Sequence, residues 1–217
     1  MTDLDMLHYV DHTVLKAAAS WTEIKTLCEE AVEYQTASVC IPPSYIRRVH
    51  EEFPTLTICT VVGFPLGYSV TEAKVLEARN AVLDGASEVD MVINLGDVKN
   101  GDYGKVEEEI RQLKQAVGDK ILKVIIETCY LTEAEKIAMC RAVTAAKADY
   151  IKTSTGFGTA GAVLSDIELF KKNIGPEVKI KAAGGIRTLE DLRAYLEAGC
   201  SRVGASAAVK LAAEKES

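Results

Sequence analysis

The sequence predicts an α/β protein built as a closed (β/α)8 barrel, an eight-stranded parallel sheet with helices outside it, and three observations predict this. Short β-branched, apolar runs alternate along the chain with longer runs of 3.6-residue periodicity. Strands that are each followed by a helix pair in parallel, because parallel neighbours need a crossover connection. Eight such units in 217 residues suit a closed barrel. The alternative is an open doubly wound sheet, but no GxGxxG follows the first strand.

In chain order the expected strands are YVDHTVL (9–15), ASVCI (37–41), LTICTVVGF (56–64), SEVDMVIN (87–94), ILKVIIET (121–128), ADYIKT (148–153), VKIKAAGG (178–185) and SRVGAS (201–206). Between them lie the helical patterns TEIKTLCEEAVEY (22–34), TEAKVLEARNAVLDG (71–85), YGKVEEEIRQLKQAVG (103–118), TEAEKIAMCRAVTAA (132–146), SDIELFKKN (165–173) and TLEDLRAYLEAG (188–199). Thr22, Thr71, Thr132 and Thr188 are the expected helix starts, and Gly85, Gly118 and Gly199 the expected stops. No linker rich in Pro, Gly or Ser interrupts the pattern, so residues 1–217 are expected to form a single barrel domain.

The chain is 48% hydrophobic, enough to bury a sizeable core. No apolar run reaches the roughly 18 residues of a membrane span, and MTDLDMLHYVDH has acids where a signal peptide needs bases. A soluble cytoplasmic protein with no membrane partner is expected. With 25 Lys and Arg against 32 Asp and Glu, the net charge is −7 and no basic stripe is present, so nucleic acid is an unsuitable partner. The six cysteines contain no CxxC pair, which argues against zinc knuckles and a disulfide framework.

Chemistry on a barrel gathers where strands end. There the sequence places Asp11, Thr13, Cys40, Asp90, Asn94, Lys123, Glu127, Lys152 and Lys181, charged groups that a packed interior excludes unless they are paired or used. Lys152 and Lys181 stand on consecutive strands. Two inward amines about 4 Å apart repel by roughly 4 kcal/mol at an effective dielectric near 20, enough to lower one of them by about three pKa units, to near 7.5. Such an amine is partly neutral and can form a Schiff base with a carbonyl. The other reading is a purely structural ion-pair cluster with Asp90 and Glu127. Asp90 suits proton transfer to and from the adduct, or serves as the lysines' counter-ion. Asp11 and Thr13 either orient this network and bind substrate hydroxyls or hold the N-terminal segment. GGIR (184–187) before one helix and GAS (204–206) before AAVKLAAEK offer backbone N–H groups to an anion, with TGFGTAG (155–161) in reach. Thr153, Gly156, Gly184, Gly185, Gly204 and Ser206 are the expected substrate contacts there.

DHTVLK, SVCIPP, EVDMVIN, LKVIIET, YIKTSTGF, KIKAAGGIR and RVGAS, in this order, resemble the 2-deoxy-D-ribose-5-phosphate aldolase family across nearly the whole chain. The resemblance implies a class I aldolase on a (β/α)8 barrel, without metal or other cofactor, that reversibly cleaves 2-deoxy-D-ribose 5-phosphate into D-glyceraldehyde 3-phosphate and acetaldehyde. It further implies Lys152 as the Schiff-base nucleophile, Lys181 as the neighbour that depresses its pKa, Asp90 as proton carrier, and a homodimer or higher homo-oligomer. Two departures stand out. Ala207 replaces a second serine present in some members, and no tyrosine follows Tyr195, whereas some members end in a tyrosine-bearing tail that helps proton transfer. Cys40 is either open to alkylation by the unsaturated aldehyde formed from two acetaldehydes or an inert core thiol. His8, His12 and His50 have no spacing suited to three converging metal ligands. A phosphosugar isomerase and a catalytically silent phosphosugar-binding protein are the rival readings.

Overall fold

Alternation in the strands decides the architecture: one side of each is aliphatic and the other carries most of the polar residues. The computed structural model describes residues 1–216, apart from the side chains of residues 214 and 216; residue 217, the last of the expected domain, lies outside the described residues. Along the chain run α1 (Asp3–Leu7), β1 (Val10–Thr13), α2 (Trp21–Glu33), β2 (Ser38–Ile41), α3 (Ile46–Glu52), β3 (Ile58–Val62), α4 (Thr71–Leu83), β4 (Glu88–Val92) and α5 (Leu95–Lys99). They are followed by α6 (Tyr103–Val117), β5 (Ile121–Ile125), α7 (Glu133–Ala145), β6 (Tyr150–Lys152), α8 (Leu164–Asn173), β7 (Lys179–Ala183), α9 (Leu189–Glu197), β8 (Arg202–Ala205) and α10 (Ala208–Glu216). Each strand pairs in parallel with the next, and β8 closes on β1. The expected (β/α)8 barrel is therefore the fold, with every strand shorter than its apolar run. Among the described residues no helix is long and apolar enough to cross a membrane.

The main core lies between barrel and helices. Val39, Ile41, Ile58, Val89, Met91, Leu122, Val124, Ile151, Ile180 and Val203 point outward from the strands into one cluster with Ile24, Leu27, Ala78, Ile110, Leu113, Met139 and Phe170 of the helices. The alternate strand residues, Asp11, Cys59, Asp90, Lys123, Lys152 and Lys181 among them, are buried but stand outside that cluster, facing the axis.

One expected helix start shifts, and one holds without a cap. Thr22 lies inside α2, because Ser20, two residues earlier, forms the capping box with Glu23. Thr71 is the first residue of α4, follows Val70 without a side-chain cap, and donates its hydroxyl to Glu109 at 3.2 Å. Thr132 and Thr188 cap α7 and α9 with full capping boxes. The short helices α1, α3 and α5 were not among the expected patterns, since five to seven residues are too few to display a period.

Between α4 and α6, Lys74 is fully buried, with its ammonium 2.9 Å from the Glu109 carboxylate and 2.9 Å from the Val92 carbonyl oxygen. Removing one partner leaves a buried charge uncompensated. Glu109→Leu is expected to lose about 3–5 kcal/mol, and Lys74→Met with Glu109→Leu to regain most of it. Urea unfolding midpoints of the three proteins check this; a single variant as stable as the parent would show that the pair imposes no such constraint.

Candidate active site

Asp90 stands at the centre of the barrel interior with no exposed surface. Its Oδ2 accepts hydrogen bonds from Lys152 and Lys181, each at 2.7 Å. Its Oδ1 accepts from Lys123 at 2.9 Å and from the Cys59 thiol at 3.1 Å. A second tier continues toward the strand N-terminal ends. Lys181 pairs also with Asp11, Lys123 lies 2.5 Å from Glu88, and Arg202 bridges Asp11 at 2.5 Å and Glu88 at 3.0 Å. The Ser38 hydroxyl donates to Asp11 at 2.7 Å.

Four cations (Lys123, Lys152, Lys181, Arg202) therefore face three carboxylates (Asp11, Glu88, Asp90), leaving one positive charge in excess. Burial alone would raise the Asp90 carboxyl, but the Lys123, Lys152 and Lys181 ammoniums together hold it well below the ordinary range. Burial likewise opposes charge on Lys181, and the Asp11 and Asp90 carboxylates outweigh it, holding that amine above the ordinary lysine value. The sequence-derived expectation of bare repulsion between two amines is thus corrected: Asp90 stands between them, and with Asp11 it favours the charged form of Lys181. Lys152 differs in having one carboxylate oxygen, shared with Lys181, and in being the only cation of the network to reach the cleft above.

That cleft, of about 210 Å³, opens at the C-terminal ends of the strands. Lys152 forms its floor with Thr13 and Leu15, and three loops form its wall: Thr155 and Gly156 after β6, Gly184 to Ile186 after β7, and Gly204 to Ser206 at the end of β8. Seven of the expected site residues, Thr13, Lys152, Gly156, Gly184, Gly185, Gly204 and Ser206, line it. Asp90 and Lys181 lie one layer below.

Three expected site residues are placed elsewhere. Asp11 is fully buried beneath Lys181, its carboxylate taken by Lys181, Arg202 and Ser38. Thr153 is fully buried too; its hydroxyl donates to the Ala183 carbonyl at 3.2 Å and accepts the Ala183 N–H at 3.1 Å, which ties β6 to β7. Cys40, 1% exposed, packs with Cys59 and Val61 under Leu15 and Phe64. Glu127 leaves the expected ion-pair cluster as well: with a left-handed φ of 49°, it turns to accept the Thr155 N–H at 3.1 Å and the Thr155 hydroxyl, and burial pushes its carboxyl up.

The anion wall also differs in detail. Just before α9, Asp191 accepts the N–H groups of Arg187 and Thr188 at 3.2 and 3.1 Å, so these two donors are taken. The wall is made by the turn itself, where Gly184 and Gly185 have φ of 81° and 76°. Gly161 closes onto it so tightly that a Cβ there would come within 2.1 Å of the Gly184 carbonyl oxygen. Sequence reasoning missed Ser38, Cys59, Glu88 and Arg202 as members of the network. The available signal was strand period two, since Glu88 shares a face with Asp90 and Arg202 with Gly204.

A family model described as DeoC/LacD family aldolase matches residues 5–212. A deoxyribose-phosphate aldolase of Clostridium botulinum (strain Alaska E43 / Type E3) is 64% identical over 97% of this chain and 96% of its own length. One from Clostridioides difficile (strain 630) is 55% identical over 95% of this chain and 94% of its own. Among solved structures, an aldolase called QR15 superposes with a TM-score of 0.93 at 37% identity, covering 98% of this chain and 96% of that one. The tetrameric deoxyribose phosphate aldolase from Aeropyrum pernix does so at 0.88 and 28% identity, covering 100% and 93%.

The charge network sets the pH window of stability. Asp11 and Asp90, held low, contribute stability that is complete above the ordinary aspartate value of about 3.9 and is lost as pH falls further; Lys123 and Lys181, held high, contribute stability complete below about 10.4 and lost above it. Unfolding temperature is expected to be level between these limits and to fall outside them, with Asp11→Asn lowering the level and flattening the acid limb. Identical acid limbs in the two proteins would contradict the assignment. Gly161→Ala is expected to push back the Gly184 turn and raise KM for a phosphorylated substrate with less effect on kcat, which steady-state kinetics checks.

Proposed function

The chain belongs to the DeoC/LacD aldolase family, and we propose that it is a deoxyribose-phosphate aldolase acting through a Schiff base on Lys152. It cleaves 2-deoxy-D-ribose 5-phosphate reversibly to D-glyceraldehyde 3-phosphate and acetaldehyde, in the breakdown of deoxyribose phosphates. One observation carries the residue assignment: Lys152 alone of the buried cations reaches the cleft, opposite a wall of glycine loops suited to a phosphate.

In the open-chain sugar the Lys152 amine adds to the C1 aldehyde, and loss of water gives an iminium that serves as electron sink. Removal of the C3 hydroxyl proton then breaks the C2–C3 bond, releasing glyceraldehyde 3-phosphate and leaving an enamine. Protonation at C2 and hydrolysis of the iminium free acetaldehyde and the amine. Asp90 would carry these protons, directly or through water; its hydrogen bond to Lys152 supports this reading. Lys181 keeps its own proton and stabilises Asp90; the excess positive charge of the network disappears when Lys152 becomes a neutral amine. Gly156, Gly184, Gly185, Gly204 and Ser206 would hold the 5-phosphate, and Thr13 a sugar hydroxyl. The six free cysteines suit a reducing cytoplasm, and a homo-oligomer is the proposed assembly, in keeping with the tetrameric Aeropyrum pernix relative.

Incubation with acetaldehyde and borohydride is expected to leave an ethyl group on Lys152, located by peptide mass spectrometry. Lys152→Ala should lose both the adduct and activity, the latter by a factor on the order of 10⁴ or more. An adduct on Lys181 alone would reverse the lysine roles, and substrate binding without any adduct would favour the silent binding protein.

A further inference from the structure

Two thiols lie beside Asp90 that the aldol steps do not use. Cys40 on β2 is the direct register partner of Cys59 on β3, and both face the barrel axis. The two sulfurs and an Asp90 carboxylate oxygen all lie within 4.8 Å of one another. Leu15 and Phe64 pack on the pair, and Leu15 lines both the catalytic cleft and a neighbouring cavity of about 260 Å³, which Val61 and Phe64 also line. Leu15 is thus a side chain shared by the thiol pair and both openings.

What could bridge them follows from charge. A divalent cation would enter a network that already holds one positive charge in excess, at the energetic disadvantage of like charges in a dry interior. An uncharged thiophilic electrophile meets no such barrier. The Lys123 ammonium, 3.3 Å from the Cys59 sulfur, would stabilise that sulfur as its proton leaves. Contact with Cys59 lowers the Cys40 thiol below its ordinary value against its burial, with Lys181 and Lys152 assisting, whereas burial holds Cys59 above it. Cys40 therefore reacts first and Cys59 closes the bridge.

We propose that Cys40 and Cys59 form a vicinal dithiol site for a trivalent arsenical, with one arsenic bridging the two sulfurs against Asp90. In the reaction with an aryl arsenoxide both S–H bonds and the arsenic–oxygen bond break, two As–S bonds form, and the oxygen leaves as water with both thiol protons. Arsenic stays trivalent throughout, so no oxidant or reductant is needed. The second As–S bond is intramolecular, which multiplies retention over a single thiol by about 10²–10⁴. The bridge would displace Asp90 from Lys152 and Lys181 and abolish cleavage; this last consequence rests on the aldolase reading, whereas the bridge does not.

The probe is phenylarsine oxide, applied to the full-length folded protein. One phenylarsenic group per chain is expected by intact mass. After unfolding and alkylation, Cys40 and Cys59 should be protected together; burial pushes Cys28, Cys140 and Cys200 up to about 12, out of competition, and any adduct on the part-exposed Cys129 should wash off with a monothiol. Activity lost to the arsenical should return with 2,3-dimercaptopropanol and not with 2-mercaptoethanol, and Cys59→Ala should make the adduct removable by the monothiol. Alkylation of both thiols in the treated parent protein, or arsenic on another residue pair, overturns the proposal without reference to any variant's folding. A bridged pair with undiminished cleavage would uphold the dithiol site and count against the role of Asp90 in catalysis.

Discussion

The rest of the structure depends on one buried carboxylate. Asp90 has no access to water, and its two oxygens between them bind three ammonium groups and a thiol. None of these charges is tolerable there alone, because desolvating a single ion costs several kcal/mol even after relaxation. Each strand facing the axis therefore has to deliver its group at the right height, and parallel register is what delivers it: Asp90 pairs with Lys123 on β5, and Lys152 with Lys181 on β7. Asp11, Glu88 and Arg202 extend the network so that Lys123 and Lys181, tied to Asp90, have further carboxylates of their own.

The two faces of the strands divide the work. Outward residues build an aliphatic layer against the helices, where burial of apolar surface stabilises the fold. Inward residues, in a barrel of this kind usually stacked aliphatic layers, are here a buried ion-pair network. Lys152 sits at the top of that network with an incomplete set of counter-ions and an opening above it. The same alternation buries the Cys40 and Cys59 thiols against Asp90, a soft pair inside a hard, charged interior.

Above the network the loops do a different job with different residues. Small size matters there more than charge: Gly161 lets the loop after β6 close on the turn after β7, and Gly184 and Gly185 adopt backbone angles that side chains resist. Glu127 and Thr153 support that wall from behind, Glu127 by holding Thr155 and Thr153 by tying β6 to Ala183. Both are polar residues near Lys152, and their hydrogen bonds serve position.

The barrel, the inward lysines, Asp90 and the glycine loops were legible in the linear order of residues, because period-two alternation, strand-then-helix repetition and turn chemistry are local and leave their mark on neighbouring positions. So were the capping boxes at Thr132 and Thr188, and the one at Ser20 was there to be seen in SWTE. What the linear order could not carry was partnership across strands far apart in the chain. That Asp90 would stand between Lys152 and Lys181, that Arg202 would reach Glu88 across the barrel, and that Cys40 would meet Cys59 were decided only on closure. The physical reason is that charge and hydrogen-bond energies depend on distance and burial, and both are set for these groups by the register of β-strands separated by whole helices.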